Sequence, residues 1–192
     1  MRGRITAVIL ALAAPVAAQE DLPDFATCMD MEIARFERAL QRHREGPEAD
    51  SFEIGDVRGV EYCGTVGIVL CDRSDAPLPC QHALAGKQDA LSDQVRATLP
   101  EPQTVAGQGE APLYAALHAM AQDRSAGPDC EGDTPVMAAW CQAREANHRL
   151  KSAVSAWQLA RYLDAAPDAI TAGWARVPPP TRPKARTEKD KG

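Results

Sequence analysis

Six cysteines are the residues whose type and spacing most directly predict chemistry in this 192-residue chain. Because the N-terminus predicts export, an even set of cysteines predicts three disulfides. Six cysteines allow many pairings, and the sequence alone does not choose among them. The short loops favour two local bridges, and the remaining two cysteines then form the third. The pairs are Cys71–Cys80, Cys130–Cys141 and Cys28–Cys63.

Metal or haem binding is the competing role for these cysteines. The chain has no C-x-x-C and no C-x-x-C-H sequence, and its four histidines are isolated from one another. Cys80 and His82 are close in sequence, but an oxidised Cys80 has no thiolate to offer. We therefore predict neither a metal site nor a cofactor.

The other side chains that could catalyse a reaction stand outside recognised motifs. No serine lies in a G-x-S-x-G elbow, and no S-x-x-K or H-E-x-x-H sequence occurs. His148 lies on the polar flank of a predicted helix, where solvent is its expected partner. Any two carboxylates could form an acid/base pair of the glycosidase type, but spacing alone selects none. The sequence therefore predicts no catalytic residue.

Residues 1–18 predict a secretory signal peptide. Arg2 and Arg4 form a positive start, residues 5–14 are apolar, and Val16-Ala17-Ala18 is a small-residue cleavage site. The alternative is an uncleaved anchor, but this apolar run is shorter than the roughly 20 residues that cross a bilayer. We predict a periplasmic or secreted protein with no membrane span after cleavage.

Charge divides the chain into an acidic body and a basic end. The whole chain carries −6, of which Arg2 and Arg4 contribute +2 and residues 176–192 contribute +4, so residues 19–175 carry −12. An acidic body argues against binding nucleic acid or anionic lipid, and it suits a basic partner. Residues 176–192 are rich in proline and lack an apolar pattern, which predicts a disordered tail.

A long amphipathic helix is predicted from Thr134 to Leu163. Asp133 or Thr134 can cap its N-terminus, and Pro135 suits the first helical position. Apolar residues then recur every three, four or seven positions, and this stripe includes Trp140 and Trp157. We expect both indoles to be buried in one seam. The alternative for Trp140 is an anchor on a binding surface.

Three shorter helices and one more near the end are predicted from the same kind of pattern. They cover residues 25–43, 81–99 and 112–122, and the last begins at Pro167. In the third, Leu113, Leu117 and Met120 are expected to face inward. Between the first two, residues 52–71 alternate β-branched residues with glycines, which predicts a small β-hairpin or meander with its tip at residues 64–65.

An internal similarity links two cysteine loops. Cys71-x8-Cys80-Gln and Cys130-x10-Cys141-Gln each carry an acidic, proline-containing loop and lead into a predicted helix. A duplicated unit would produce this pattern, and so would two cysteine-bridged helix starts that arose separately.

Thr134 and Met137 lie between Cys130 and Cys141 of the second cysteine loop, and a predicted helix follows. This segment resembles the core of the LprI-type lysozyme inhibitors. The family's Ala-Asp-x-x-Leu-Asn pattern falls on Ala146-Asn147-x-x-Leu150-Lys151, so both polar residues differ. The resemblance covers about residues 130–160. It implies a small exported helical domain that inhibits a lysozyme, and lysozymes are basic.

These observations predict a mainly α fold: one disulfide-stapled domain over residues 19–175 with a small β element near 52–71. The predicted function is that of an exported, non-catalytic binding protein whose target is a basic envelope protein such as a lysozyme. The alternatives are an envelope hydrolase with an unrecognised carboxylate pair and a structural helper in envelope assembly. The oligomeric state is not predicted.

Overall fold

The computed structural model describes residues 22–46, 52–105, 109–122, 130 and 132–180. Within these ranges it has five α-helices and one 3₁₀ helix, so the predicted helical class is confirmed. The helices are α1 (Phe25–Glu45), α2 (Arg58–Asp72), α3 (Pro77–Arg96), α4 (Ala111–Gln122) and α5 (Pro135–Tyr162), and the 3₁₀ helix spans Pro102–Val105. The predicted signal peptide, residues 1–18, and the tail beyond residue 180 lie outside the described residues.

Side chains cap the starts of α1 and α5. The Asp24 carboxylate accepts the backbone N–H of Thr27 at 2.8 Å, which satisfies one free donor of α1. The Thr134 hydroxyl accepts the N–H of Met137 at 3.5 Å, and Pro135 takes the first helical position. The predicted start of α5 is therefore confirmed.

Helices α3 and α5 pack side by side and run in the same direction. His82 Nδ1 lies 3.0 Å from Gln142 Oε1 near their N-terminal ends. Two turns further along, Arg149 Nε donates to Asp89 Oδ1 at 2.8 Å. Both pairs are 60 residues apart in sequence, and this constant offset defines a parallel register.

Helix α2 runs in the opposite direction along α5. Lys151 Nζ lies 3.3 Å from Glu61 Oε2, while the backbone of Gly64 lies against the side chain of Asn147. A rising residue number on α2 therefore pairs with a falling number on α5. The Cys28–Cys63 bridge then ties α1 to α2.

The core is built around α5. Its buried positions include small residues that admit neighbouring helices and the fully buried Trp157. The Trp157 ring lies 5.3 Å from Phe36 of α1 and 4.8 Å from Trp174 of the C-terminal segment, between ring centroids. Trp157 Nε1 donates to the carbonyl of Pro167 at 3.2 Å, so the buried indole N–H has a hydrogen-bond partner.

The predicted β-hairpin near residues 52–71 is wrong, because residues 58–72 form helix α2 and the described residues contain no strand. The prediction counted β-branched residues and treated glycines as interruptions. In the structure, buried glycines belong to the helical stripe. A Cβ on Gly67 would lie 2.9 Å from Leu84, and one on Gly64 would lie 2.5 Å from Asn147 Nδ2. Close helix packing therefore explains Gly64 and Gly67.

Two further predictions need correction. Leu113 and Met120 of α4 are exposed, whereas Tyr114 is completely buried and its hydroxyl donates a hydrogen bond to the carbonyl of Pro100 at 2.6 Å. A hydroxyl with a backbone acceptor can enter the core, so the inward face of α4 carries Tyr114 and Ala121 together with Leu117, which packs against the core as predicted. The segment after Pro167 forms turns, with Thr171 N–H bound to Asp168 Oδ1 at 2.9 Å.

The described chain ends at Pro180, and its C-terminal segment is joined to α1 through Arg176. Arg176 Nε donates to Asp30 Oδ2 at 3.0 Å, and the Arg176 backbone N–H donates to Asp30 Oδ1 at 2.9 Å. Arg176 is thus attached to the helical body, although the sequence placed it at the start of the tail. No helix in the described residues is long and apolar enough to cross a membrane.

Candidate functional site

The structure contains the three predicted disulfides. They pair Cys28 with Cys63, Cys71 with Cys80 and Cys130 with Cys141, and no cysteine is free. The preference for short local bridges is therefore confirmed.

Two of these bridges lie at the same end of the helical bundle. Helices α3 and α5 are parallel, so two residues before the His82–Gln142 pair Cys80 lies level with Trp140. Helices α2 and α5 are antiparallel, so seven residues after Gly64 on α2 and seven before Asn147 on α5, Cys71 also lies level with Trp140. Cys71 and Cys80 therefore both lie at the level of Trp140, the residue before Cys141. We call residues 71–80, 130 and 132–141 the disulfide end.

Exposed carboxylates surround this end. Asp72, Asp75 and Asp133 are all exposed, and Arg73 is the basic residue among the described positions of the two loops. Asp72 Oδ1 accepts a hydrogen bond from Gln81 Nε2 at 2.6 Å, which fixes that carboxylate beside the start of α3. The disulfide end is therefore net acidic and attracts positive charge.

The same end exposes apolar side chains. Val136 is 58% exposed and Met137 is 48% exposed, and both lie in the first turn of α5. Trp140, one turn later, is partly buried, and the Arg144 guanidinium lies 5.3 Å from its ring centroid. Neighbouring apolar groups on one helix turn, with acidic loops beside them, are typical of a protein-binding surface.

Trp140 thus differs from the prediction of a buried seam. Trp157 is completely buried as expected, but Trp140 lies outside the core cluster and keeps part of its indole in solvent. Seventeen residues at 100° each place the two indoles about 100° apart around α5, so they do not share one face of the helix. Among the described residues, α2 also ends at the level of Trp140 and does not extend past it.

The histidines named by the sequence take structural or solvent-facing positions. His82 contacts Gln142 and links α3 to α5, whereas His148 is exposed and its carbonyl accepts from Ser152 Oγ at 3.2 Å. Among the described residues, no three His, Cys, Asp or Glu side chains are grouped as metal ligands.

A separate cleft brings carboxylates together at the other end of α5. It has a volume of about 400 Å³ and is lined by Glu32, Glu53 and Asp56. Each of these carboxylates is paired with an arginine, and the hydrogen bond from Arg58 lowers the pKa of Asp56. A general acid at neutral pH needs a raised pKa, so Asp56 does not fit that role.

The sequence did not identify this cleft or the exposed face of α5. The only signal for the latter was Trp140, an indole next to a cysteine at a helix start. Comparison with protein-family models, curated proteins and solved structures found no match to the chain.

Proposed function

We propose that this chain is an exported, non-catalytic binding protein whose disulfide end docks a basic protein of the cell envelope. The observation that carries the proposal is the exposed pair Val136 and Met137 beside the partly buried Trp140, within an acidic rim. An apolar centre with a charged rim is the usual arrangement of a protein interface.

The charge of the rim selects the partner. Asp72, Asp75 and Asp133 are exposed in the structure, and in the sequence Asp129 immediately precedes Cys130 and Glu131 immediately follows it. Such a surface steers a basic protein by long-range attraction, and salt weakens that attraction. The Cys71–Cys80 bridge ties the end of α2 to the start of α3, and the Cys130–Cys141 bridge ties Cys130 to α5, so the described loop residues need little ordering on binding.

The resemblance to the LprI-type lysozyme inhibitors falls on this same segment. Thr134 and Met137, the residues shared between the bridged cysteines, begin α5 at the disulfide end. A lysozyme is accordingly the first partner to test. Three disulfides and the absence of a spanning helix in the described residues are consistent with the exported location that we propose.

The test measures the binding of a purified basic lysozyme by calorimetry at low and high salt, with an acidic protein of similar size as the comparison. We expect Trp140→Ala to weaken binding about tenfold or more, as truncation of an interface anchor does. We expect Asp72→Asn/Asp75→Asn/Asp133→Asn to slow association at low salt and to lose that effect at high salt.

The matched control is Glu45→Gln/Glu101→Gln/Glu110→Gln, which removes the same charge from exposed positions elsewhere. Equal weakening by both triple variants would show that net charge, not this surface, binds the lysozyme. If lysozyme binds the parent and the Trp140→Ala protein equally, the disulfide end is not the docking surface. Absence of any lysozyme binding would remove lysozymes as the partner.

A further inference from the structure

We propose that the cleft between α1 and residues 52–60 binds a neutral, hydroxyl-rich ligand of the size of one or two sugar rings. The cleft volume of about 400 Å³ lies within the usual range of small-molecule sites. Gln158, in its wall, is 18 residues from Trp140 on α5, or about 27 Å along the helix. The inference is therefore independent of the proposed docking surface.

The loop that forms one wall is fixed by a buried amide. Gln158 is 3% exposed, its Oε1 accepts the N–H of Gly55 at 3.0 Å, and its Nε2 donates to the carbonyl of Asp56 at 3.3 Å. Gly55 has a φ of +82°, a conformation that favours glycine. The wall is thus set before a ligand arrives, which reduces the free energy lost on binding.

The charges in the cleft balance. Arg35, Arg42 and Arg58 line it together with three carboxylates, and each carboxylate forms an ion pair with Arg35 or Arg58. Arg58 Nε lies 2.8 Å from Asp56 Oδ1, Arg58 Nη2 lies 3.1 Å from Glu53 Oε2, and Arg35 Nη2 lies 2.7 Å from Glu32 Oε2. A ligand with one net charge would have to compete with these pairs.

A hydroxyl group has no such conflict. It can donate to a carboxylate and accept from a guanidinium at the same time, so it joins an ion pair without breaking it. Hydrogen bonds to charged groups are also stronger than those between neutral groups. An array of neighbouring hydroxyls on a neutral ligand therefore suits alternating arginines and carboxylates better than an ion does.

Aromatic rings supply the apolar part of the site. Phe36 and Phe52 both line the cleft, with ring centroids 5.7 Å apart. Phe52 is supported from behind by stacking on His43 at 5.1 Å and on Tyr162 at 6.3 Å. The negative face of an aromatic ring attracts the partly positive C–H groups of a sugar ring. Polar rims and an aromatic wall thus fit the two kinds of surface on a saccharide.

The experiment records amide chemical shifts of the ¹⁵N-labelled full chain during titration. The neutral probes are cellobiose, maltose and N,N′-diacetylchitobiose, and the charged probes are inorganic phosphate, spermidine and glycylglycine. We expect at least one neutral saccharide to shift resonances of residues 32–36 and 53–60 in a saturable way. We expect the charged probes to cause no saturable shift there.

Two variants and two controls locate the site. Phe52→Ala should weaken saccharide binding about tenfold or more, and Glu53→Gln should weaken it about tenfold, the equivalent of one hydrogen bond to a charged group. Glu53 is 68% exposed, so its variant should fold even if Phe52→Ala does not. Tyr62→Ala, an exposed aromatic outside the cleft lining, and Trp140→Ala should bind as the parent does.

Several results would overturn the inference. They are the absence of saturation by every saccharide, shifts confined to residues outside the cleft, and saccharide binding that is unchanged in Glu53→Gln. Saturable binding of phosphate, spermidine or glycylglycine in place of a saccharide would also reject it, because the site would then recognise charge. Since Trp140→Ala is silent here but central to lysozyme binding, failure of one proposal does not imply failure of the other.

Discussion

Gly64 of α2 lies directly against the side chain of Asn147 of α5. A Cβ at position 64 would lie 2.5 Å from Asn147 Nδ2, which is far inside van der Waals contact. Asn147 is 7% exposed, and its Oδ1 accepts from the fully buried Gln88 Nε2 at 3.5 Å. Because buried neighbours surround this amide, it cannot easily move away. Only glycine, which has no Cβ atom, therefore allows α2 to pack this closely on α5 at position 64.

The first prediction concerns this contact. Gly64→Ala should lower the free energy of unfolding by about 1–3 kcal/mol, because the added methyl group overpacks a closed interface. The measurement is urea denaturation followed by circular dichroism. Gly86→Ala is the matched control, since a Cβ at that position on α3 meets nothing within 4 Å. It should stabilise the protein by about 0.5–1 kcal/mol, as alanine does in a helix interior. Equal effects of the two variants would contradict the steric argument.

The second prediction separates the two tryptophans of α5. Trp157→Ala should destabilise by about 3–5 kcal/mol, because it removes a fully buried ring from contact with Phe36 and Trp174. Trp140→Ala should cost about 1 kcal/mol or less, since it loses a partly exposed ring and one contact with Arg144. Thermal unfolding of both variants measures the difference. Comparable losses of stability would place Trp140 in the core after all.

The third prediction concerns the ionisation of Tyr114. Burial raises the pKa of its phenol from 10.0 to about 12. Between these values the unfolded chain has lost the proton that the folded chain keeps, so stability falls as the pH rises through this window. Absorbance at 295 nm should show a late-titrating tyrosine that disappears in Tyr114→Phe.

Tyr62→Phe is the control for that titration, because Tyr62 is 53% exposed. It should leave the late component in place. If Tyr62→Phe removes the late component, or if Tyr114→Phe leaves it, the assignment to the buried phenol is wrong. The same variants, unfolded by urea at pH 9 and pH 11, give the stability change directly.

The fourth prediction ranks the disulfides by ease of reduction. Cys130 and Cys141 are both partly exposed, whereas Cys28 and Cys63 are 1% and 0% exposed. Thiolate attack needs access to a sulfur atom, so limited reductant under native conditions should open Cys130–Cys141 well before Cys28–Cys63. Alkylation followed by peptide mass mapping records the order.

The two bridges also differ in their expected effect on stability. By the loop-entropy relation, the 35-residue separation of Cys28–Cys63 contributes about 4 kcal/mol and the 11-residue separation of Cys130–Cys141 about 3 kcal/mol. Early opening of the buried bridge, or a protein that unfolds when only Cys130–Cys141 is reduced, would contradict this ranking.

The sequence by itself determined the local features of this protein. Thr134 and Pro135 fixed the start of α5, because capping depends on residues within one turn. Loop lengths were enough to favour the observed disulfide pairs, and the apolar stripe of α1 was enough to predict that helix. Each of these signals acts over a short stretch of chain.

Only the tertiary structure decided what depends on neighbours from distant sequence. Residues 58–72 became a helix because their glycines admit Asn147 and Leu84, which lie on other helices. Trp140, which lies about 100° from Trp157 around α5, stayed partly exposed where α2 ends, and Tyr114 entered the core because the carbonyl of Pro100 accepts a hydrogen bond from its phenol. The pairing of α3 with α5 brought two acidic loops to one end, and Gln158 shaped the cleft. Packing between elements, which periodicity along the chain does not encode, therefore produced both candidate sites.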